Sequence, residues 1–173
     1  AKERNLELID YGLREELIVL NAIPSAEGAI QICMEETPFT IHGADILVMG
    51  YGRIGKVLSA ILHHMGAKVT VSARKASDIA WIETMGYKAI HSRKLAGKLS
   101  DFQVIFNTVP AMLLIKPLLE EISNDCLIID LASRPGGVDF DAAAKLSKRV
   151  IWALSLPGKV APATAGNIIK TTI

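Results

Sequence analysis

The sequence has few of the residues that mark several large classes of protein. Only two of its 173 residues are cysteine and only 5% are aromatic. Cys33 and Cys126 stand far apart in apolar surroundings, which predicts two reduced core thiols rather than a disulfide or a metal site. The formal net charge is only +1, and no basic stripe interleaves with aromatic residues. The composition therefore gives no sign of nucleic-acid binding.

Long apolar runs are also missing. No stretch of about 18 consecutive apolar residues appears, which argues against a membrane span. The N-terminal segment AKERNLELID contains no apolar secretory core. We therefore expect a cytoplasmic protein that binds neither a membrane nor nucleic acid. Because half of the residues are hydrophobic, the chain is long and apolar enough for one α/β domain with its own core.

A glycine-rich stretch follows one strongly apolar segment. Residues 46–49 are typical of a short buried strand, and three glycines then stand at the spacing G-x-G-x-x-G before an apolar helical pattern. In this context the first glycine permits a tight turn, the second lets the backbone approach a pyrophosphate, and the third lets the helix pack near the strand. The helix N-terminus favours an anion. This pattern predicts a dinucleotide site at Gly50, Tyr51, Gly52, Arg53, Ile54 and Gly55.

From residue 45 onward, strand-like and helix-like segments alternate. The expected strands cover residues 46–49, 68–72, 87–90, 102–107, 127–131 and 150–154. Such alternation indicates a parallel sheet with right-handed crossovers. Six strands that begin with a glycine fingerprint predict an α/β fold, a doubly wound and mostly parallel six-stranded Rossmann sheet of order 3-2-1-4-5-6 with helices on both faces.

The segment before the first strand has helical periodicity. We expect a helix over residues 6–20, a break, and a second helix over residues 26–36 that Ser25 caps. We interpret residues 1–43 as linking helices and a turn from a missing N-terminal domain, residues 44–163 as an NAD(P)-binding Rossmann domain, and residues 164–173 as the start of a C-terminal helix. We expect Trp81 and Trp152 to lie in the core.

The end of the second strand indicates which dinucleotide is bound. Ligands of such sheets bind beyond the carboxyl ends of the strands, and NAD-type sites place an acidic residue here on the ribose 2′-hydroxyl. This sequence has no acid at that point and offers Ser72, Arg74 and Lys75. A hydroxyl and two cations suit a 2′-phosphate, so we expect NADP(H) in preference to NAD(H). The alternative is that both cations are solvated loop charges.

The ends of the later strands supply further candidates. We expect the loop after the fourth strand to pass beneath the pyrophosphate and the nicotinamide ribose, although Asn and Pro are also common in plain turns. After the sixth strand, two prolines and a glycine predict an irregular path beside the nicotinamide. The candidate cofactor contacts in these two loops are Asn107, Thr108, Val109, Pro110, Leu156 and Pro157.

The fifth strand ends in a charged residue, Asp130. Because a buried carboxylate needs partners, we expect it to cap a neighbouring loop rather than to act in catalysis. Arg134 lies farther out, where it is placed to meet a substrate carboxylate.

Several longer motifs are similar to one family, the A subunits of dipicolinate synthase from spore-forming bacteria. The motifs are LNAIPSAEGAIQ (residues 20–31), TIHG (40–43), GYGRIG (50–55), NTVP (107–110), DLASRPGGVDF (130–140) and LPGKVAPATAG (156–166). The last two are much more specific than the glycine fingerprint, and the resemblance covers nearly the whole chain. The sequence departs from the family at Ser155, where members typically carry glycine, and at Ala163, where lysine is frequent.

The resemblance implies an NADP(H)-dependent oxidoreductase component that oxidises dihydrodipicolinate to dipicolinate in the mother-cell cytoplasm during sporulation. It also implies the B subunit of dipicolinate synthase as a partner, and we expect a homo-oligomer. No residue stands out as the catalytic base, and we expect the fragment alone to be inactive. The alternatives are another two-domain NADP-dependent dehydrogenase, of shikimate or folate type, and a non-catalytic nucleotide-binding regulatory module.

Two more distant resemblances suggest substrate contacts. Alanine dehydrogenases carry D-x-A-x-D-Q-G-G after the fifth strand, and alignment of the glycines places Arg134 at the second aspartate. A cation in place of that acid fits a dicarboxylate substrate better than an amino acid. The layout before the first strand resembles bifunctional folate dehydrogenases, which implies that Asn21, Ser25 and Glu27 line the substrate site. Their alternative role is in the turn and the helix cap.

Overall fold

A single six-stranded sheet forms the centre of the protein. The computed structural model describes Gly12 and residues 14–172. All five strand pairs are parallel, and the strand order is β3-β2-β1-β4-β5-β6. The strands are β1 Asp45–Met49, β2 Lys68–Ala73, β3 Lys88–His91, β4 Val104–Asn107, β5 Leu127–Asp130 and β6 Arg149–Trp152. The predicted fold class and strand order are confirmed.

Helices cover both faces of the sheet, as predicted. They are α1 Glu15–Leu20, α2 Ala22–Glu36, α3 Arg53–His64, α4 Ala76–Thr84, α5 Lys116–Glu121, α6 Phe140–Lys145, α7 Leu156–Val160 and α8 Pro162–Thr172. A 3₁₀ turn, Ser92–Lys94, follows β3.

Strand alternation divides the core into two clusters. In β1, Ile46 and Val48 face the cluster that α2, α3 and α4 cover, whereas Leu47 and Met49 face the cluster beneath α5 and α6. All four side chains are fully buried. Central strands of a parallel sheet are covered on both faces, so their sequences are apolar throughout rather than alternating with polar residues. This burial fixes the strand ends, and with them the loops that carry the candidate site.

The two cysteines behave as predicted. Cys33 and Cys126 are free thiols, and both are buried. Burial raises the pKa of the Cys33 thiol to about 11 and that of the Cys126 thiol to about 12, because an apolar environment disfavours the thiolate. Both side chains are therefore protonated, packed members of the core at neutral pH.

The N-terminal prediction is wrong in detail. Helix α2 begins at Ala22, so Ser25 lies inside it instead of capping it, and its hydroxyl donates to the Asn21 carbonyl at 2.7 Å. Pro24 fits there because the first-turn N–H groups of a helix have no partner within the helix. Of the helix predicted over residues 6–20, residues 6–11 and 13 lie outside the described residues.

The joined segment α1–α2 also differs from the expectation about membranes. Glu15–Glu36 is long and apolar enough, by length and composition, to cross a membrane, with a mean hydropathy of 1.5. Core helices of globular proteins pass the same test, and 44% of this window is buried inside the fold. Helix α2 packs against α3 and α7, so its apolar composition has an explanation within the domain.

The expectation that both tryptophans lie in the core fails for Trp81 and holds only in part for Trp152. Trp81 is 60% exposed, whereas its neighbour Ile82 packs into the core. Adjacent residues of a helix point in different directions, so Trp81 points away from the core. Trp152 is half-buried against Phe140, with ring centroids 5.1 Å apart.

The irregular path predicted after β6 is helical instead, since Pro157 and Pro162 lie in the first turns of α7 and α8, where proline is favoured. The last helix accordingly begins before the predicted residue 164.

Candidate functional site

A cleft lies at the carboxyl ends of β1, β2 and β4. We call it the fingerprint cleft, and its volume is about 610 Å³. Its lining includes residues 50–52 from the glycine fingerprint, Arg74 and Lys75 from the end of β2, and residues 108–110 from the end of β4. Three segments that the sequence predicted separately therefore surround one cavity.

The structure gives a different reason for glycine at each of the three fingerprint positions. Gly50 has φ +99°, and a Cβ there would lie 2.5 Å from Thr108 Oγ1. A Cβ on Gly55 would lie 2.2 Å from the Gly50 carbonyl oxygen. At Gly52, by contrast, a Cβ would meet no atom within 4 Å. The fold itself requires the first and third glycines, whereas the second keeps space open on the surface of the cleft.

The N-terminus of α3 opens at Gly52. This residue is the N-cap, and no side chain caps the helix there. Arg53 turns toward α1, where its guanidinium forms a bidentate ion pair with Glu15, and one of the two hydrogen bonds is 2.6 Å long. The Arg53 hydrogen bond lowers the pKa of Glu15. The Arg53 charge is therefore engaged outside the cleft, whose lining does not include Arg53, and the helix end remains available to an anion.

Cations outnumber anions in the fingerprint cleft. Arg74 and Lys75 form no ion pair with any described residue. Two charged residues that the sequence analysis missed also line the cleft, Lys56 and Asp78. The signals were present, since Lys56 follows Gly55 directly and Asp78 lies in the first turn of α4. The net result is a positive cleft with one carboxylate.

Tyr51 forms part of one wall of the cleft. The Lys56 ammonium lies 5.4 Å from the centroid of its ring, within the range of a cation–π contact. Burial, followed by the proximity of Tyr87 and Asp78, raises the pKa of Tyr51. The side chain is therefore a neutral phenol that gives the cleft a partly apolar wall.

Ser72 does not share the exposure of its neighbours. It is buried, it does not line the cleft, and its hydroxyl has no partner among the described residues. Val71 and Ala73 belong to the core cluster beneath α3, so strand alternation directs Ser72 to the opposite face of β2. Of the three residues predicted for a 2′-phosphate, the structure therefore leaves Arg74 and Lys75 at the surface.

The loop after β4 is fixed by a buried polar cluster, which we call the clasp: Asn107, Asp130 and Gly137. The Asn107 amide donates to Asp130 at 2.8 Å and to the Val109 carbonyl at 3.1 Å. Asp130 also accepts from the backbone N–H groups of Ala132 at 3.0 Å and Gly137 at 2.8 Å. The predicted capping role of Asp130 is confirmed. Asn107 is fully buried and does not line the cleft, so its side chain shapes the loop.

Three of the four cofactor contacts predicted in this loop line the cleft directly. Thr108 lines it, but its hydroxyl donates to the Met49 carbonyl at 2.9 Å and so ties β4 to β1. Val109 and Pro110 follow it along the same wall. The segment thus lies at the cleft, and its main contribution there is shape rather than free donors.

A second cavity lies at the carboxyl ends of β5 and β6. We call it the arginine cavity, and its volume is about 320 Å³. It brings Arg134 together with Leu156 and Pro157, and Ile54 of the first turn of α3 lines it as well. The α3 N-terminus therefore stands between the two cavities, with Gly52 on one side and Ile54 on the other.

Arg134 is held by an aromatic ring and not by an acid. Its guanidinium carbon lies 5.8 Å from the centroid of the Trp152 ring. The Trp152 indole N–H donates to the Ala132 carbonyl at 2.9 Å, which fixes the ring. Arg134 forms no ion pair with the described residues, so its charge is free to meet an anionic ligand.

The remaining substrate candidates do not gather at this cavity. Ser25 lines it, whereas Glu27 lies in a separate shallow groove with Met34 and Ile61. Residues two apart on a helix point in different directions, which is why Ser25 and Glu27 separate. The side-chain oxygen of Asn21 is buried without a partner in the described part of the chain, and Asn21 does not line the cavity.

Comparisons with known proteins agree with this architecture. No family model matches the chain. All 173 residues align at 37% identity with the curated A subunit of dipicolinate synthase from Bacillus subtilis (strain 168), and they cover 58% of its length. The chain therefore spans little more than half of this relative.

Solved structures show the same similarity in three dimensions. The crystal structure of the dipicolinate synthase A subunit from Bacillus halodurans has a TM-score of 0.94 at 40% identity, with 98% of this chain and 58% of that chain covered. The crystal structure of its B. subtilis counterpart gives a TM-score of 0.94 at 37% identity, with coverage of 99% and 57%. A transhydrogenase from Sinorhizobium meliloti shares only the fold, with a TM-score of 0.79 at 18% identity over 96% of this chain and 56% of that one.

Over its whole length the chain is therefore similar, in sequence and in fold, to the A subunits of dipicolinate synthase, and it spans 58% of the B. subtilis member.

Proposed function

We propose that this chain is the nucleotide-binding part of an NADP(H)-dependent oxidoreductase, the A subunit of dipicolinate synthase, whose substrate is dihydrodipicolinate. One observation carries the proposal: Gly52 leaves open space in front of an uncapped helix N-terminus, although nothing in the fold requires glycine there. A pyrophosphate needs close approach to the backbone together with free N–H groups. These are the features that the cleft offers at Gly52.

The cations of the cleft support NADP(H) over NAD(H). Arg74 and Lys75 are exposed at the end of β2, where the ribose of a dinucleotide lies in Rossmann domains. Because neither has an ion-pair partner in the described structure, both are available to a 2′-phosphate. Asp78 lies in the same cleft, and we expect its carboxylate to accept a hydrogen bond from a ribose hydroxyl rather than to contact the phosphate.

The arginine cavity is the proposed place for the reacting groups. The nicotinamide supplies the hydride acceptor when the cofactor is bound. Ile54, Leu156 and Pro157 would form an apolar wall that excludes water from the ring. Arg134 would pair with one carboxylate of the substrate and orient it, because a guanidinium binds a carboxylate bidentately.

The biological setting belongs to the same proposal. We infer that the protein acts with the B subunit of dipicolinate synthase, forms a homo-oligomer, and works in the mother-cell cytoplasm of a sporulating bacterium. The relatives are themselves named as subunits, which supports an assembly of more than one kind of chain. Dipicolinate formation from dihydrodipicolinate and NADP⁺ by the full-length protein, with and without that partner, tests this directly. Reaction with shikimate-type or folate-type substrates in its place would contradict it.

Cofactor choice provides a sharper test. Replacing Arg74 with methionine removes a charge-assisted hydrogen bond, so we expect the Kd for NADPH to rise roughly 10- to 100-fold while the Kd for NADH stays unchanged. Isothermal titration calorimetry measures both. Arg93→Met is the matched control, because Arg93 is exposed after β3 but does not line the cleft. Tighter binding of NADH than of NADPH by the unmodified protein would contradict the proposal.

A further inference from the structure

The clasp contains a buried carboxylate that has no counter-ion. Asp130 is fully buried, and it forms no ion pair with any residue in the described part of the chain. Removing a carboxylate from water is costly, and here only hydrogen bonds offset that cost. A neutral side chain closes a turn without this cost, so the groups that Asp130 holds indicate why an acid is placed there.

The loop that carries Arg134 is held at both ends by Asp130. One carboxylate oxygen, Oδ1, accepts from the Ala132 N–H at 3.0 Å, and the other, Oδ2, accepts from the Gly137 N–H at 2.8 Å. Arg134 lies between these two points along the chain. Because a fully satisfied buried network is rigid, the carboxylate limits where the Arg134 backbone can lie.

Asn107 connects the same carboxylate to the loop of the fingerprint cleft. Its side-chain nitrogen donates to Asp130 Oδ1 at 2.8 Å and to the Val109 carbonyl at 3.1 Å, and its side-chain oxygen accepts from the Val109 N–H at 3.2 Å. Val109 itself lines the fingerprint cleft. The wall of that cleft and the loop of Arg134 are therefore parts of one buried hydrogen-bond network.

The two glycines that end the Arg134 loop fit against this network without space for a side chain. A Cβ on Gly136 would lie 2.9 Å from Asp130 Oδ2, and a Cβ on Gly137 would lie 2.1 Å from Asn107 Nδ2. The Gly137 carbonyl also accepts from the N–H groups of residues 113 and 114, each at 3.0 Å. Contact this close means that a shift of one loop moves the other.

We propose that Asn107 and Asp130 are positioning residues for the proposed reaction. Their buried pair holds Arg134 and the wall of the fingerprint cleft in one fixed relation, and it thereby sets where the substrate lies against the nicotinamide. The inference rests on the proposed function for the reaction itself, and it adds two residues that line neither cavity. They act through Arg134 and Val109, because reacting groups must be held in a precise geometry.

Asn107→Ala disconnects the two loops and leaves Asp130 with its two backbone donors. We expect kcat for oxidation of dihydrodipicolinate, by the full-length protein with the B subunit present, to fall about 100-fold, and KM to change much less. We expect the Kd for NADPH in calorimetry to change by less than about threefold, because the fingerprint loop is outside the network and Thr108 is tied to β1 by its own hydrogen bond.

A matched control separates positioning from loss of stability. Leu99→Ala removes a fully buried side chain in the segment that leads into β4, outside both cavities, and should lower the melting temperature by several degrees. Assayed below the melting temperature of both variants, Leu99→Ala should keep kcat within about twofold of the unmodified protein. If Asn107→Ala does not fold, Asn107→Leu takes its place, since it keeps the branched shape of the side chain and forms none of its hydrogen bonds.

The inference is overturned if kcat of the Asn107 variant stays within about threefold of the unmodified protein, or if Leu99→Ala loses as much activity. A rise in the Kd for NADPH as large as the fall in kcat also overturns it, because the clasp would then shape the cleft alone. Failure of both Asn107 variants to fold assigns the clasp a purely structural role. In each case the proposed function stands. If the unmodified full-length protein with its partner does not oxidise dihydrodipicolinate, the proposed function fails together with the inference.

Discussion

The fingerprint loop, residues 50–55, and the clasp lie on neighbouring parts of the sheet edge. They differ in whether their polar groups have partners within the protein. After β1, residues 50–55 leave a helix N-terminus uncapped and open space at Gly52. After β4 and β5, Asn107 and Asp130 are fully buried, and their polar atoms are paired with each other and with the backbone. Both regions are polar and rich in turn-forming residues. We therefore take free hydrogen-bonding groups, and not polar residues as such, as the mark of the proposed ligand site.

Substitution of Gly55 is expected to have the largest effect, because it tests whether the open loop is also rigid. Gly55→Ala places a Cβ 2.2 Å from a backbone oxygen that has little room to move. We expect the free energy of unfolding to fall by about 4 kcal/mol or more, and NADPH binding to be lost. Urea unfolding followed by circular dichroism measures the first quantity. A loss below about 1 kcal/mol would show that the loop yields easily.

Gly52→Ala is the control for that experiment and sharpens the comparison within one loop. Its Cβ meets no protein atom within 4 Å, so we expect stability to change by no more than about 1 kcal/mol. NADPH binding should nevertheless weaken at least tenfold, because the methyl group occupies the space proposed for the pyrophosphate. Unchanged NADPH affinity would place the cofactor elsewhere.

The clasp is expected to give the next largest effect, on stability. Asp130→Ala leaves the Asn107 amide and two backbone N–H groups buried without this acceptor. We expect the free energy of unfolding to fall by about 3 kcal/mol in the same urea experiment. Asp125→Ala, at an exposed aspartate just before β5, should change it by less than about 0.5 kcal/mol. Equal effects of the two substitutions would remove the structural role of the clasp.

Ser72 gives the smallest expected effect and tests how far the open region extends along the sheet, on the side of β1 away from the clasp. Its hydroxyl is buried without a described partner, so Ser72→Ala should leave stability unchanged or raise it by up to about 1 kcal/mol. We expect the Kd for NADPH to change by less than about twofold in calorimetry. A tenfold weaker affinity would instead place the hydroxyl in contact with the cofactor and extend the open region to β2.

The parts of the candidate site that depend on spacing along the sequence could be predicted. The fingerprint glycines and the cations after β2 stand at fixed distances along the sequence, and the strand pattern locates both at one edge of the sheet. Asp78 and Lys56 escaped prediction because a helix side chain reaches the cleft only through the angle at which its helix lies. Trp81 failed for the same reason, since hydropathy gives the composition of a helix but not which face meets the core.

By itself, the sequence determined the strand order, the glycine fingerprint and the family motifs, because these depend on local patterns that survive in any packing. Only the tertiary structure decided which polar residues are free. Asn107 and Ser72 are buried, while Arg74 and Arg134 form no ion pair within the described part of the chain, and each outcome depends on neighbours that are distant along the chain. A polar side chain can bind a ligand only if the fold has not already supplied its hydrogen-bond partner. Contacts between residues distant along the chain decide which side chains already have such a partner.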